Sequence, residues 1–345
     1  MLRWVGRGLL GLLGLGFALV AFVPGETPGL LPPAFVPEEE TPEATVRTVI
    51  DSEALIDGVR DGALKEVVWA RQDRARTKLA LVYVHGFSAS KAELRPVPER
   101  VAARLGANLF LTRLTGHGRG GAAMGLARAE DWMRDMAEAV AVGKALGQRV
   151  VLIGTSMGGA LTALAASQLE DDPAMAGYVL VSPAFGLRAV GTSLLTLPFA
   201  RVWVPWLLGP ERSFTPLNAA QAEGWTTAYP SRALAPLGGV VREAQLTPYD
   251  HVTRPALFVF SDEDAVVAPE RIRAAAEDWG GAVDLELLAL GEGDDPDRHV
   301  VAGAAMSPGM TDRVATRIAD WVEARILAPD DAGASGEDGG DRDGG

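Results

Sequence analysis

A serine between two glycines is the first place in this sequence where a side chain could do covalent chemistry. The segment Gly154-Thr155-Ser156-Met157-Gly158 has the form G-x-S-x-G. This form suits a sharp turn from a strand into a helix, because glycine on both sides of the nucleophile removes bulk that would clash. An apolar run, Val150 to Ile153, leads into the turn, and a helix-forming run, Ala160 to Leu169, leads out of it. The pattern predicts a nucleophilic hydroxyl on Ser156, with the Met157 amide as a hydrogen-bond donor to an oxyanion.

A serine hydroxyl is inert near neutral pH unless a histidine takes its proton. The chain has four histidines, and two of them, His85 and His117, precede the serine. His251 lies just before a predicted strand, whereas His299 lies in a polar loop after the last predicted strand. In an open parallel sheet that loop lies at the carboxyl edge, level with the serine turn. We therefore predict His299 as the base and retain His251 as the alternative.

The histidine in turn needs an acid to orient it. The segment Ser261-Asp262-Glu263-Asp264 directly follows a predicted strand, so three carboxylates compete for this role. Asp264 reaches furthest beyond the strand and is followed by an apolar run that would hold its backbone. We favour Asp264 and keep Asp262 as the alternative. The order Ser156, Asp264, His299 is the one expected when the nucleophile lies on a strand-to-helix turn.

A second oxyanion donor is predicted in the loop after an earlier strand. The run Leu79 to Val84 predicts that strand, and His85-Gly86-Phe87-Ser88 follows it. Glycine lets the backbone approach a reacting carbonyl closely, so the Phe87 amide would supply the donor. In this setting we expect His85 to brace the loop rather than to catalyse.

The elements that must position these residues alternate along the chain. From about residue 45, short β-branched apolar runs alternate with longer amphipathic ones, which predicts strands and helices of a mostly parallel sheet with helices on both faces. The predicted strands, besides the one at 79–84, are Asn108–Thr112, Arg149–Ile153, Tyr178–Val181, Ala256–Phe260 and Val283–Leu288. The predicted helices include Ala129–Leu146, Pro269–Trp279 and Met310–Ile326.

One stretch breaks the alternation. Residues 187–250 contain seven prolines and three of the eight tryptophans, which predicts an insertion that caps the sheet. The piece from Leu194 to Leu208 is too apolar for an ordinary exposed loop, so it either covers the carboxyl edge of the sheet or meets an apolar partner. We expect Trp203, Trp206 and Leu207 to contact substrate.

The N-terminus has the pattern of an export or anchor segment. Arg3 and Arg7 precede the uninterrupted apolar run Gly8 to Val23, and no A-x-A cleavage site follows it. At ~1.5 Å per residue this run spans about 24 Å, short of a ~30 Å hydrocarbon core but long for a signal sequence. Residues 1–25 are therefore predicted to be a membrane anchor or signal. The basic flank places the catalytic domain on the non-cytoplasmic side, or exports it after cleavage.

The remaining boundaries follow from composition. Residues 26–44 are rich in proline and predict a stiff spacer. Residues 45–186 and 251–328 would form the core. Residues 329–345 carry six acids and no large apolar residue, so this tail is expected to be disordered.

Composition also excludes several kinds of chemistry. The chain has no cysteine, which excludes disulfides, thiolate nucleophiles and cysteine-ligated metals. Its net charge of −13 disfavours binding to the negatively charged phosphates of nucleic acid. A G-x-G-x-x-G spacing at Gly116, Gly118 and Gly121 follows a predicted strand. A dinucleotide site would also need an acidic residue at the end of a second strand about 20 residues later, and none is found there, so such a site is not expected. We predict no cofactor and no metal.

Five motifs, taken in order, resemble those of an α/β-hydrolase. They are Tyr83-Val84-His85-Gly86-Phe87, Arg113-Leu114-Thr115-Gly116-His117-Gly118, Gly154-Thr155-Ser156-Met157-Gly158, Ser261-Asp262-Glu263-Asp264-Ala265-Val266-Val267 and Arg298-His299-Val300. The most similar branch contains monoacylglycerol lipases, lysophospholipases, carboxylesterases and serine aminopeptidases. The resemblance implies an α/β-hydrolase fold, a triad at Ser156, Asp264 and His299, an oxyanion hole at Phe87 and Met157, and a cap over the site. The acid motif departs from the family at Ser261, where a glycine is common.

These observations predict a serine hydrolase that cleaves carboxylic esters through an acyl-enzyme. The Trp- and Leu-rich insertion favours an apolar acyl group, as in a monoglyceride or a lysophospholipid, and the N-terminal segment would bring the enzyme to a membrane. Two alternatives share the triad: a serine aminopeptidase and an acyltransferase. A third is a non-catalytic protein that holds a lipid in the same cleft.

Overall fold

The computed structural model describes residues 25–34, 36, 41–189 and 191–328. Nine strands lie in these ranges: β1 (Glu66–Val68), β2 (Thr77–Val84), β3 (Asn108–Leu111), β4 (Gly147–Thr155), β5 (Met175–Val181), β6 (Glu211–Ser213), β7 (Ala228–Pro230), β8 (Ala256–Phe260) and β9 (Val283–Leu287). Seven of them form one sheet in the order β1-β3-β2-β4-β5-β8-β9. All neighbours in this sheet are parallel except β1, which pairs antiparallel with β3.

Helices connect the parallel strands, as the crossover between such strands requires. Those within the described ranges are α1 (Pro42–Ala54), α2 (Val97–Leu105), α3 (Gly121–Met124), α4 (Ala129–Leu146), α5 (Met157–Gln168), α6 (Ala200–Leu208), α7 (Ala219–Gly224), α8 (Leu234–Leu246), α9 (Pro269–Asp278) and α10 (Thr311–Val322).

The sheet is buried on both faces, which explains why its central strands are apolar throughout. Along β2, the alternating residues Val82 and Val84 join one apolar cluster, with side chains from α1, α4, α5, α8 and α9. Leu81 and Tyr83 point the other way and join a second cluster, with side chains from α2 and α10. The period of two along the strand thus feeds two separate cores. The predicted fold class, a mostly parallel sheet with helices on both faces, is confirmed.

The predicted insertion at 187–250 contains α6, the antiparallel strands β6 and β7 with α7 between them in the chain, and α8. Helix α8 packs against α5, and its buried Leu237, Val240 and Ala244 belong to the same cluster as the central strands. Because this helix is part of the core, only the segment before it, up to about residue 233, leaves the sheet. The start of β7 packs closely on α3. A Cβ added to Gly121 would lie 2.2 Å from the carbonyl oxygen of Ala228.

The described part of the expected spacer lies against the domain. The N–H of Leu31 donates to the side chain of Gln168 at 2.6 Å, and Glu26 pairs with Arg128 and Arg201 at 3.4 and 3.5 Å. Helix α1 already begins within the predicted spacer, at Pro42, with the Thr41 hydroxyl as its N-terminal cap.

The predicted N-terminal anchor, apart from Gly25, and the predicted acidic tail at 329–345 lie outside the described residues. Among the helices that the structure does describe, none combines the length and apolar character needed to cross a membrane.

Candidate active site

Ser156 occupies the turn between β4 and α5 in a strained backbone conformation. Its φ of 53° and ψ of −117° lie in a region that side-chain-bearing residues rarely adopt, at a cost of about 1–3 kcal/mol. Backbone hydrogen bonds hold the turn: Ser156 N–H donates to Val181 O at 2.9 Å, and its carbonyl accepts from Ala160 and Ala184, each at 3.0 Å. The partly exposed hydroxyl is therefore presented at the carboxyl edge of the sheet.

Both glycines that flank the serine are required by close backbone contacts. A Cβ on Gly154 would lie 2.3 Å from Gly158 O, and a Cβ on Gly158 would lie 2.2 Å from Val84 O. Neither contact can relax, because the atoms approached are backbone. The helix start is thus packed directly onto the end of β2, which brings the loop after β2 next to the serine.

The structure brings together the three residues predicted to form the triad. His299 Nε2 lies 2.9 Å from Ser156 Oγ, and His299 Nδ1 lies 2.8 Å from Asp264 Oδ2. The other oxygen of Asp264 accepts the N–H groups of Val266 and Val267, both at 2.8 Å. A fully buried carboxylate held in this way keeps the proton of His299 on Nδ1, so Nε2 is free to accept the serine proton.

The competing acid and base lie elsewhere. Asp262 is exposed, and both its oxygens bond to Arg273 at 2.6 and 2.7 Å. His251 is also exposed, and its Nε2 lies 3.1 Å from the hydroxyl of Ser167, which belongs to the last turn of α5. Asp250 is 3.7 Å from the other nitrogen of His251, and Nε2 also lies 3.0 Å from the Ser167 carbonyl oxygen, to which it can only donate, so His251 is not placed as a base. Ser167 has no strand-to-helix turn and hence no group of free N–H donors for an oxyanion.

A second carboxylate organises the loop that carries the base. Asp295 is buried, and its Oδ2 accepts the N–H of His299 at 3.1 Å and that of Val300 at 2.7 Å. Burial disfavours the charged imidazole, but the hydrogen bond and charge of Asp264, with the charges of Glu93 and Asp295, outweigh it. The pKa of His299 is therefore raised above the ordinary histidine value of about 6.5.

His85 sets the direction of one predicted oxyanion donor. The N–H of Leu114 donates to His85 Nε2 at 3.1 Å, so the ring proton is on Nδ1 and is donated to Gly86 O at 2.8 Å. Burial lowers the pKa of His85 to about 4, which keeps the ring neutral at pH 7. Gly86 O and Phe87 N–H belong to one trans peptide and point in opposite directions. The ring of His85 thus orients the Phe87 N–H.

The two predicted donors lie on opposite sides of the nucleophile in the chain and close to it in space. An added Cβ on Gly86 would lie 3.1 Å from Ser156 Cβ, so the Gly86–Phe87 peptide borders the serine. Met157 is the first residue of α5, where an N–H has no acceptor within the helix. The arrangement can stabilise a negatively charged oxygen beside Ser156.

An aromatic cluster borders the oxyanion loop. The ring of Phe87 makes edge-on contacts with His117, Trp132 and Tyr229, with centroids 5.9, 6.2 and 5.3 Å apart. Tyr229 belongs to β7, so the insertion reaches the loop that carries the donor. His117 is fully buried, which lowers its pKa, and within the described structure its Nε2 has no hydrogen-bond partner.

Helix α6 carries the three residues expected to contact substrate. Trp203 is partly buried and donates its ring N–H to Pro198 O at 3.1 Å. Trp206 and Leu207 are 89% and 63% exposed. No hydrogen bond or ring contact among the described residues joins these three side chains to the triad, so they form an apolar outer surface on the insertion.

Two buried carboxylates near the triad, Asp295 and Glu93, are not predicted by the sequence. Asp295 lies four residues before His299, a spacing that could have signalled its role. Glu93 had no such signal, because Ser90-Lys91-Ala92-Glu93 has the composition of a solvated turn. In the part of the chain that the structure describes, no group of three or more histidine or carboxylate side chains is placed to hold a metal ion.

Comparisons with known proteins find relatives among lipolytic enzymes. Thermostable monoacylglycerol lipase of Bacillus sp. (strain H-257) is 28% identical over 191 residues, which are 55% of this chain and 72% of the relative. A solved structure from work on LipS and LipT, two metagenome-derived lipolytic enzymes, has a TM-score of 0.63 at 24% identity and covers 77% of this chain and 99% of its own. A soluble variant of monoglyceride lipase from Saccharomyces cerevisiae has a TM-score of 0.55 at 15% identity, covering 78% and 94%. These two structures support the fold.

The family itself follows from a match over more than half of the chain. Residues 75–293, more than half of the chain, match the family model described as serine aminopeptidase, S33. The matched region includes the nucleophile turn, the oxyanion loop and the acid. The protein belongs to the serine aminopeptidase S33 family, and its fold is that of the α/β-hydrolases.

Proposed function

We propose that this protein is a serine hydrolase that cleaves carboxylic esters with an apolar acyl group through an acyl-enzyme. The observation that carries the proposal is the unbroken chain of contacts from Ser156 through His299 to Asp264, with distances of 2.9 and 2.8 Å. The likeness to a monoacylglycerol lipase supports an ester as the substrate. A binding protein would have no need of a base and a buried acid aligned on a serine.

In the proposed mechanism, Ser156 Oγ attacks the ester carbonyl carbon while its proton passes to His299 Nε2. The carbonyl oxygen becomes negatively charged and accepts hydrogen bonds from the Met157 and Phe87 amides. Asp264 stabilises the imidazolium that forms. Collapse of the tetrahedral intermediate expels the alcohol, which takes the proton from His299 and leaves the acyl group on the serine. Water, deprotonated by the same histidine, then attacks the acyl-enzyme and releases the acid.

The surroundings of the site support an apolar acyl group. The rings of Phe87 and Tyr229, both partly exposed, give the oxyanion loop an apolar surface, and the buried Trp132 packs against Phe87. We include Trp203, Trp206 and Leu207 of α6 in the substrate-receiving surface. A monoglyceride, a lysophospholipid or a related ester would match this chemistry.

We also propose that the protein acts at a membrane, held by its N-terminal segment, with the catalytic domain on the non-cytoplasmic side or exported after cleavage. Gly25, the first described residue, packs so tightly on Thr196 that an added Cβ would meet its carbonyl oxygen at 2.4 Å. Gly25 thus lies next to the turn that leads into α6, whose exposed Val202 and Trp206 are apolar. Protease protection of the full chain in sealed membrane vesicles tests this arrangement, and a catalytic domain digested only from the cytoplasmic side would contradict it.

The proposed activity is tested with a fluorophosphonate probe and a series of esters on the full chain in detergent. We expect a covalent adduct on the wild type, none on Ser156→Ala, and an unchanged adduct on Ser167→Ala, which removes the surface serine next to His251. Rates on p-nitrophenyl esters should rise with acyl length beyond acetate. Faster cleavage of aminoacyl amides than of esters would favour the aminopeptidase. Transfer to an added alcohol without hydrolysis would favour the acyltransferase, and a folded protein without adduct would favour lipid binding.

A further inference from the structure

Glu93 is a buried carboxylate at the site that the proposed mechanism does not use. Its Oε2 accepts the N–H of Gly86 at 2.7 Å and the hydroxyl of Tyr83 at 3.1 Å. The residue is 3% exposed, in a short turn of 3-10 helix that follows the oxyanion loop. A buried carboxylate is costly unless it is well bonded, so its place beneath this loop calls for an explanation.

The contacts of Glu93 converge on the groups that flank the nucleophile. Gly86 is held from both sides, because Glu93 binds its N–H while His85 binds its carbonyl oxygen. Tyr83 connects the carboxylate to the strand of the nucleophile, since its hydroxyl also lies 3.3 Å from the hydroxyl of Thr155. Thr155 precedes Ser156 in the chain. The network thus ties the oxyanion loop to the turn that carries the serine.

We propose that Glu93 is a positioning residue for the reaction: it fixes the Gly86–Phe87 segment as an oxyanion donor, and its charge tunes the base His299. This inference rests on the proposed function. With Gly86 anchored at its N–H, rotation of the Phe87 amide away from the reacting oxygen would break the bond to Glu93 or the bond to His85. The donor is therefore set before substrate arrives, which is the condition for effective oxyanion stabilisation.

The carboxylate of Glu93 also borders the nucleophile that His299 contacts. An added Cβ on Gly86 would lie 2.8 Å from Glu93 Oε1 and 3.1 Å from Ser156 Cβ, and Ser156 Oγ lies 2.9 Å from His299 Nε2. The titratable groups that face Glu93 are Tyr83 from β2 and, from the loop after β9, His299 and Asp295. Burial is the main cause that raises the pKa of Glu93 to about 7, while Asp295 raises it further and the Gly86 bond and His299 lower it. Ionised Glu93 in turn raises the pKa of His299. The two groups therefore influence one another in the pH range in which the base becomes active.

Three variants separate the bond from the charge. Glu93→Gln keeps an oxygen that can accept the Gly86 N–H but removes the charge. Glu93→Ala removes both. Glu99→Gln is the matched control, because it removes a nearby carboxylate that pairs with Arg95 and does not contact the loop. For each we measure kcat and KM on a soluble p-nitrophenyl ester from pH 5 to pH 9 by about half-unit steps, with thermal unfolding as the check on folding.

The expected results differ between the variants. In Glu93→Gln, loss of the negative charge lowers the pKa of His299, so the rise of kcat/KM moves to lower pH by several tenths of a unit, while the plateau kcat stays within about threefold of wild type. In Glu93→Ala, kcat falls at least about tenfold and KM changes less than about threefold, because the lost interaction belongs to the transition state. Glu99→Gln retains the wild-type kcat and pH profile.

Other outcomes would overturn the inference. A folded Glu93→Ala with wild-type kcat, or a Glu93→Gln profile that does not move, makes Glu93 a purely structural acid. If Glu93→Ala does not fold, the pH profile of Glu93→Gln alone decides. Failure of the proposed function is distinguishable, because the wild type itself would then neither hydrolyse the ester nor react with a fluorophosphonate, and the inference would fall with it.

Discussion

Replacement of Asp264 by asparagine tests the geometry of the triad most directly. Asp264 Oδ1 accepts two backbone N–H groups at 2.8 Å, and Oδ2 faces His299 Nδ1. In Asp264→Asn the amide oxygen keeps the two backbone bonds, since turning the amide over would aim its NH2 group at both donors. The NH2 group then faces His299 Nδ1 and forces it to accept. The ring proton moves to Nε2, towards Ser156, and the base is lost.

The size of the effect follows from the cost of the opposite orientation. Leaving two buried N–H donors unsatisfied costs about 1–3 kcal/mol each, or about 2–6 kcal/mol in total. At 1.36 kcal/mol per factor of ten, the productive tautomer is depleted by about 30-fold to about 10⁴-fold. Loss of the carboxylate that stabilises the imidazolium adds to this. We therefore expect kcat of Asp264→Asn to fall by about 10⁴-fold, with little change in KM or in the melting temperature.

The assay is steady-state hydrolysis of a soluble ester, normalised to the concentration of folded protein. Asp262→Asn is the matched control, because it removes a carboxylate two residues away that is exposed and bonds to Arg273. It should keep the wild-type kcat. A fall of less than tenfold in Asp264→Asn, or an equal fall in Asp262→Asn, would refute the assignment of the acid.

Three further predictions concern the base, the oxyanion loop and the core. Activity requires neutral His299. Burial disfavours the charged ring, but the neighbouring carboxylates outweigh burial and raise the pKa of His299. The value of kcat/KM should therefore rise with pH around a midpoint above about 6.5, and a midpoint well below about 6.5 would contradict this prediction. Gly86→Ala should lower kcat roughly 10²-fold, because the new Cβ would lie 3.1 Å from that of the nucleophile, whereas Gly62→Ala, where an added Cβ meets nothing, should be neutral. Arg113→Ala breaks a buried pair with Glu53 and should lower the free energy of unfolding by about 3 kcal/mol at pH 7. Burial alone would raise the pKa of Glu53, but the pair with Arg113 lowers it. The stabilisation from the pair is therefore lost as pH falls through that lowered pKa. Denaturant titration measures the free energy of unfolding, and an equal destabilisation by Arg113→Ala at pH 7 and in acid would argue against the pair.

The fold could be predicted from the sequence because its signals are local and repeated. The strand at 79–84 and the glycine-flanked Ser156 have the composition that a buried strand and a tight turn require, whatever the rest of the chain does. The local sequence does not decide whether Asp262 or Asp264 is the acid of the triad. It depends on Arg273, which draws one carboxylate outwards, and on the loop of His299, which covers the other.

Other features could not be predicted because neighbouring segments create them. Glu93 lies in a polar stretch, yet it is buried beneath the oxyanion loop. Helix α8 follows a proline-rich stretch that signals an insertion, although its Leu237 and Val240 complete the core against α5. In both cases the composition of the segment gives a wrong prediction of its burial, because burial depends on which other parts of the chain pack over the segment.

At Ser156 the residue that the reaction needs is not the residue that would be most stable in this backbone conformation. Its φ of 53° and ψ of −117° match the first central residue of a type II′ turn, a position that favours glycine. Glycine would adopt this conformation without strain, whereas alanine would keep the strain of the serine. Ser156→Gly should therefore melt at a higher temperature than Ser156→Ala, although both are inactive. Selection of this chain for thermostability alone would favour a glycine at a residue that the reaction cannot lose.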